Sequence, residues 1–456
     1  MIIEWDVAIP MDDGANLRAD VFRPDGAGRW PVILSHGPYG KGLAFQEGRA
    51  REWEELVAGH PEVLTGSSNR YQCWEVADPE RWVPDGYVCV RVDSRGAGRS
   101  PGYLDPLSER ETRDLYACIE WAGAAPWSNG RVGLLGISYY AINQWQVAAL
   151  APPHLTAICP WEGGADFYRD LSRHGGVLSR FWESWYERRV LPVQHGVGER
   201  GYRSAVTGEW VAGPETLSEM ELAGRRADIA GMFRQHVLDD EYYRDRTPRL
   251  DQITVPLLSA ANWGGQGLHS RGNFEGFLRS ASPAKWLEVH GGSHWESFYS
   301  ADGLALQKQF FDRFLKGERN GFGKDWRVRL QVRSPDGFRV RLEHQWPPAR
   351  GCSHTVVPRP ARAPPFHGRA CSGGSGSLRG TRARHHLSRR PTGLAARDHR
   401  AAGLLPASID HGQGRRPVRG APPFRPAAAR GRLSRCAGPA CTPRTGMAPA
   451  LAASSR

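Results

Sequence analysis

No apolar stretch of this 456-residue chain reaches membrane-spanning length before a proline or a charge interrupts it. The N-terminus, Met1-Ile2-Ile3-Glu4-Trp5-Asp6, carries two acids and lacks a basic leader segment, so a soluble, cytoplasmic protein is expected. There is no CxxC pair among the eight cysteines (73, 89, 118, 159, 352, 371, 436 and 441) and no histidine cluster at zinc spacing. Disulfides, a structural metal and a cofactor are therefore not expected. Cys89 and Cys159 sit in apolar, strand-like runs and read as buried thiols.

Other absences are local. From Gly351 to the C-terminus there is no Lys, Glu, Trp or Tyr, while nineteen Arg stand against only Asp398 and Asp410. The whole chain carries +12, so this tail, at +17, leaves the first 350 residues at −5. A basic nucleic-acid arm would mix Lys with Arg and interleave aromatics for base stacking, and this tail has neither. Its Arg/Pro/Ala composition builds no core and reads as a disordered linker or as translation in a shifted frame, the latter being preferred.

What remains is rich: 40% hydrophobic residues and 17 Trp are ample for a large buried core. Up to about Arg350, short apolar runs alternate with longer amphipathic stretches, the pattern of strand-helix-strand units in an α/β protein. Val32–Ser35, Tyr87–Val92, Val132–Leu135, Thr156–Cys159, Leu257–Ala261 and Trp286–His290 read as buried strands. Ser108–Ala124 reads as a helix opened by a capping box of Ser108 and Glu111, and Leu304–Leu315 as another.

The expected organisation is a core in two parts (1–165 and 252–320) with a helical cap (166–251) inserted between them. A β domain starts at 325–348, where Trp326–Val332 alternates and can pair with Phe338–Leu342, and the tail occupies 349–456. The cap contains Phe181-Trp182-Glu183-Ser184-Trp185-Tyr186, whose aromatics would either shape a substrate site or serve as packing.

The chemistry centres on Arg131-Val132-Gly133-Leu134-Leu135-Gly136-Ile137-Ser138-Tyr139-Tyr140-Ala141, an apolar strand entering a tight turn and then a helix. That is the layout of a nucleophile elbow, which exposes a serine and aims a helix N-terminus at a developing oxyanion. Ser138 is thus the candidate nucleophile of a serine hydrolase with an α/β-hydrolase fold. Tyr140 stands where the usual motif has its second Gly. A base is expected after the last core strand, where Leu287-Glu288-Val289-His290-Gly291-Gly292-Ser293-His294 offers two histidines; His294, on the loop beyond the strand, can reach across the sheet top.

Four linked motifs then point to a family. They are Asp93-Ser94-Arg95-Gly96-Ala97-Gly98-Arg99-Ser100-Pro101-Gly102, Glu120-Trp121 with Pro126-Trp127-Ser128-Asn129-Gly130, Gly136-Ile137-Ser138-Tyr139, and Gln144-Trp145. Over about residues 5 to 348 the chain resembles the cocaine-esterase and X-prolyl dipeptidyl-peptidase hydrolases (CocE/NonD, peptidase S15). The resemblance implies a Ser-Asp-His triad on an α/β-hydrolase domain, a helical cap and a C-terminal jelly-roll domain, here truncated or frame-shifted. It implies a small-molecule ester or amide as substrate, Ser138 as nucleophile and His294 as base. It also implies an oxyanion hole formed by the Tyr39 hydroxyl and the Tyr139 backbone N–H.

At the triad acid the chain departs from the family. The usual Trp-x-Asp reads Trp263-Gly264-Gly265 here, and a glycine orients no imidazole. An acid after the preceding strand can reach the same histidine in this fold, which makes Glu162, in Pro160-Trp161-Glu162-Gly163-Gly164, the substitute and Asp166 the second choice. A displaced acid also leaves open an inactive relative acting as a binding protein, or nucleic-acid binding through the tail. Oligomeric state is not legible.

Overall fold

A computed structural model describes residues 1–349 apart from Gln266 and Asp336. The tail expected from 349 onward lies, after its first residue, outside the described residues. Ten strands form one sheet: β1 (Ile2–Pro10), β2 (Asn16–Arg23), β3 (Trp30–Gly37), β4 (Val88–Asp93), β5 (Ser128–Ile137), β6 (Leu155–Trp161), β7 (Leu257–Asn262), β8 (Lys285–His290), β9 (Val328–Ser334) and β10 (Gly337–Glu343). Their order is β1-β2-β4-β3-β5-β6-β7-β8-β9-β10. Strands β3 to β9 run parallel, while β1, β2 and β10 pair antiparallel at the two edges.

Parallel neighbours need crossovers, which here include helices α1 (Glu109–Ala124), α2 (Tyr139–Ala148), α3 (Ser270–Arg279) and α4 (Ala301–Phe311). Side chains alternate between the two faces. Val32, Leu34, Val132 and Leu134 join Leu115, Ile119 and Trp145 in one core cluster, whereas Ile33, Leu135 and Ile137 join Phe310 and Phe311 in another. With both faces covered, central strands read as continuous apolar runs, which is why the six predicted strands were visible in the sequence. Each fully buried Val, Leu or Ile contributes about 1.5–3 kcal/mol.

Three points add to or differ from the sequence reading. The hairpin β9–β10 pairs across its turn as anticipated, and β9 also lies parallel to β8, so this hairpin is joined to the main sheet. The capping box of α1 is half formed: Ser108 accepts from the Glu111 N–H, but the Glu111 carboxylate accepts from the Leu107 N–H and the Tyr139 hydroxyl instead. The antiparallel strands β1 and β2 at one end of the sheet, whose apolar residues are interrupted by charged ones, were missed.

Between β6 and β7 the chain forms short helical segments, among them Phe167–Ser172, Phe181–Trp185 and Ile229–Gln235, with a two-residue ribbon. Trp182, Trp185, Tyr186, Phe233 and Tyr243 of this region pack with Tyr39, Tyr139 and Tyr140 in one aromatic cluster. Most of its aromatics are therefore packing. Cys73, Cys89, Cys118 and Cys159 are all buried. No helix among the described residues is long and apolar enough to cross a membrane.

Candidate active site

Ser138 stands at the junction of β5 and α2 with φ 57° and ψ −113°, a region that residues other than Gly rarely occupy. The turn is over-determined: the Ser138 N–H donates to the Trp161 carbonyl and the Ile137 N–H to the Glu75 carbonyl, each at 3.0 Å. A Cβ at Gly136 would meet the Cβ of Tyr140 at 2.3 Å, so the first Gly of the motif is required by close approach. The large residue in place of the second Gly is accommodated elsewhere, because Gly37 leaves room for the Tyr140 ring, whose Cε1 would lie 2.6 Å from a Cβ there.

Glu75 and Glu162 also have positive φ, so three of the seven such non-glycine residues among the described residues meet at this one site. Strain of this kind, about 1–3 kcal/mol each, clusters at functional sites and persists only where surrounding contacts impose it.

His294 is held between two carboxylates. Its Nδ1 lies 2.7 Å from Glu162 Oε2 and its Nε2 lies 3.0 Å from Glu75 Oε1. Burial opposes the charged ring, but Glu162 and Glu75 outweigh it and push the His294 pKa up to about 10. Glu162 is fully buried and also accepts from Asn262 Nδ2 at 3.0 Å, and its Oε1 lies 3.0 Å from His290 Nε2. Burial alone would raise its pKa; the two histidines overcome this and hold it well below the usual carboxylate range. His290 in turn places Nδ1 2.6 Å from Glu288, so strand β8 supplies a buried chain of alternating charges behind the candidate base.

Ser138 itself touches a different histidine. Its Oγ lies 3.2 Å from Nε2 of His269, which precedes α3 and stacks on His294 with ring centroids 5.3 Å apart. Burial, reinforced by the charge of His294, drives the His269 pKa down to about 3, and its buried Nδ1 has no hydrogen-bond partner among the described residues. Sequence reasoning missed both His269 and Glu75. The signal for the first lay in the departure itself, since the loop that lost the family's aspartate, Asn262 to Leu268, leads directly to His269.

The position of that lost acid is crowded. A Cβ on Gly265 would meet Ser270 Oγ at 2.6 Å and the Asn262 carbonyl at 3.2 Å. Asp166 does not approach the histidines; it accepts from the Arg169 N–H at 2.7 Å and pairs with the Arg169 guanidinium at 2.9 Å, capping a cap helix. Tyr39, buried after β3, accepts from Trp185 Nε1 at 2.9 Å, which leaves its own O–H to donate. Burial first, then Glu75, raises the Tyr39 pKa and keeps it protonated. The Tyr139 N–H is the first of α2, where the opening N–H groups of a helix have no intrahelical acceptor. Ser138, Tyr39, His269, His294 and Glu75 all line one cavity of about 280 Å³.

A largely parallel sheet whose central strand turns through a strained serine into a helix, with a cap inserted after the next strand, defines an α/β-hydrolase. The X-Pro dipeptidyl-peptidase (S15 family) model matches residues 13–296, well over half of the chain, and the chain belongs to that family. It is 28% identical over 371 residues to the cocaine esterase of Rhodococcus sp. (strain MB1 Bresler), covering 75% of this chain and 59% of that protein. A CocE/NonD family hydrolase from Staphylococcus aureus superposes with a TM-score of 0.63 at 36% identity, covering 77% of this chain and 57% of the other. An aminopeptidase from the marine sediment archaeon Thaumarchaeota archaeon shares the fold, with a TM-score of 0.50 at 17% identity over 75% of this chain and 60% of that one. The chain thus spans under two thirds of the length of these relatives.

Proposed function

We propose that the protein is a serine hydrolase that cleaves a small ester or amide through an acyl-enzyme on Ser138. The observation that carries this reading is the strained elbow at Ser138, set in one cavity with the carboxylate-backed His294.

His294 is the better general base of the two histidines, for an electrostatic reason. Proton transfer from Ser138 makes an imidazolium, and Glu162 sits on the far nitrogen of His294, fixing the tautomer and stabilising that charge. Among the described residues no acid meets His269 Nδ1, and its lowered pKa makes it a weak proton acceptor. In the resting protein His294 Nε2 rests on Glu75, while the Ser138 hydroxyl is held by His269. The productive state has His294 exchange Glu75 for Ser138, consistent with catalytic hydrogen bonds that tighten only when substrate is bound.

The remaining steps follow. Ser138 Oγ attacks the acyl carbonyl, and the oxyanion is met by the Tyr139 N–H and the Tyr39 O–H. His294 passes its proton to the leaving alcohol or amine, and a water activated by the same histidine releases the acid. A cavity of about 280 Å³ sits at the low end for ligand pockets, which suits a small acyl compound. The test is hydrolysis of 4-nitrophenyl butyrate. The wild type turns it over, and Ser138→Ala and His294→Ala lose activity by about 10³-fold or more while remaining folded. Equal rates for wild type and Ser138→Ala would exclude the proposal.

A further inference from the structure

The catalytic cavity has a second chemical feature that the acyl-transfer reading does not use. Beside Ser138, Tyr39 and Trp74, three guanidinium groups line it: Arg49, Arg188 and Arg189. The acids on the same wall are Glu52 and Glu75. Both are engaged, Glu52 by Arg189 at 3.1 Å and Glu75 by His294 at 3.0 Å. Among the described residues no carboxylate pairs with Arg49 or Arg188.

Arg49 is the inner of these two, half-buried, with its guanidinium carbon 5.1 Å from the Trp74 ring centroid and 5.9 Å from that of Tyr39. Among the described residues the one hydrogen bond of its guanidinium runs to the Gly48 carbonyl, at 3.1 Å. A guanidinium carries five N–H donors in a planar fork that matches a carboxylate two-fold, and aromatic faces hold the plane while leaving its edge free. Burial, and then the neighbouring charge of Arg189, disfavour the charged form of Arg49, so like charges crowd here without full compensation. A bound anion relieves that crowding.

We propose that Arg49, assisted by Arg188 at the rim, is an anion subsite that selects esters or amides bearing a carboxylate a few atoms from the scissile carbonyl. The inference rests on the hydrolase reading for its kinetic form but not for its binding form. Because Arg49 faces the ring of Tyr39, a carboxylate on it lies beside the proposed oxyanion hole, so the charged end and the reacting carbonyl share one short molecule.

The test pairs mono-(4-nitrophenyl) glutarate with 4-nitrophenyl valerate, which differ at the acyl terminus in charge more than in size. The expected ratio of kcat/KM favours the glutarate by about tenfold or more, and Arg49→Met cuts that ratio about tenfold while Arg49→Lys retains part of it, as the loss of a charge-assisted contact implies. A ratio near one in the wild type, or one unchanged in Arg49→Met, overturns the proposal. Should neither ester turn over, calorimetric titration of glutarate into folded Ser138→Ala still decides it. Binding weakened about tenfold by the added Arg49→Met supports the subsite, whereas no binding, or equal binding, overturns it independently of catalysis.

Discussion

Glu162 Oε2 lies 2.7 Å from His294 Nδ1, although Glu162 follows β6 and the family's aspartate would follow β7. A carboxylate one strand along the sheet thus reaches Nδ1 of His294. If this contact does the work of a triad acid, Glu162→Gln, which keeps the shape and removes the charge, lowers kcat by about 10²–10⁴-fold with little change in the far-UV spectrum. Near-normal turnover would remove Glu162 from the mechanism.

The two histidines make opposite predictions. His294→Ala should abolish turnover, whereas His269→Ala, which removes only the resting partner of Ser138, should cost about tenfold or less. The comparison is made on kcat with one ester and two folded variants. A reversed ranking would make His269 the base.

Glu75 is expected to help set the pH at which His294 becomes available. Its carboxylate on Nε2 helps hold the His294 pKa at about 10, so kcat/KM rises toward alkaline pH. Removing a negative neighbour destabilises the imidazolium, and Glu75→Gln therefore moves that limb to lower pH, by about one unit or more. An unmoved profile would show that Glu75 does not restrain the base.

Stability carries a matching signature at His290. Burial works against the charged ring, but Glu288 and Glu162 raise its pKa from 6.5 to about 9. A raised histidine pKa contributes stability that is fully present below pH 6.5 and is lost as pH climbs through about 9. The melting temperature should fall by a few degrees across that window, and His290→Asn should flatten the decline.

Restoring the family's acid where it used to be will not help. Gly265→Asp places a Cβ against Ser270 and the Asn262 carbonyl, so it should destabilise by about 1–3 kcal/mol and leave the activity of Glu162→Gln unrescued. Urea denaturation of the single variant and ester turnover of the double variant check the two halves.

Much of the frame was legible in the sequence, for identifiable reasons. The six central strands are buried on both faces and stand out as apolar runs, and Ser138 is announced by a strand, a Gly-x-Ser turn and a helix. Glu162 could be singled out because the missing aspartate directs attention to an acid after the preceding strand, and its carboxylate lies 2.7 Å from His294. What stayed hidden depends on distant packing. Glu75 belongs to a loop with no motif, and it is held at the elbow by the hydrogen bond from the Ile137 N–H to its carbonyl and by the contact of its carboxylate with His294. His269 reaches Ser138 across 131 residues of chain, and its only signal in the sequence is its place just after the loop that lacks the family's aspartate. The hairpin at 328–343 showed its alternation plainly but not its partner, since alternation says which face is buried and not which sheet is joined.

The central claim is that Ser138 becomes covalently acylated with His294 and Glu162 behind it. Its most direct measurement is the mass of the full chain after incubation with a fluorophosphonate, followed by peptide mapping. A single adduct on Ser138, absent from Ser138→Ala and formed about 10²-fold more slowly in Glu162→Gln, is the predicted result. Folded wild-type protein that gains no adduct, or carries it on another residue, would contradict it.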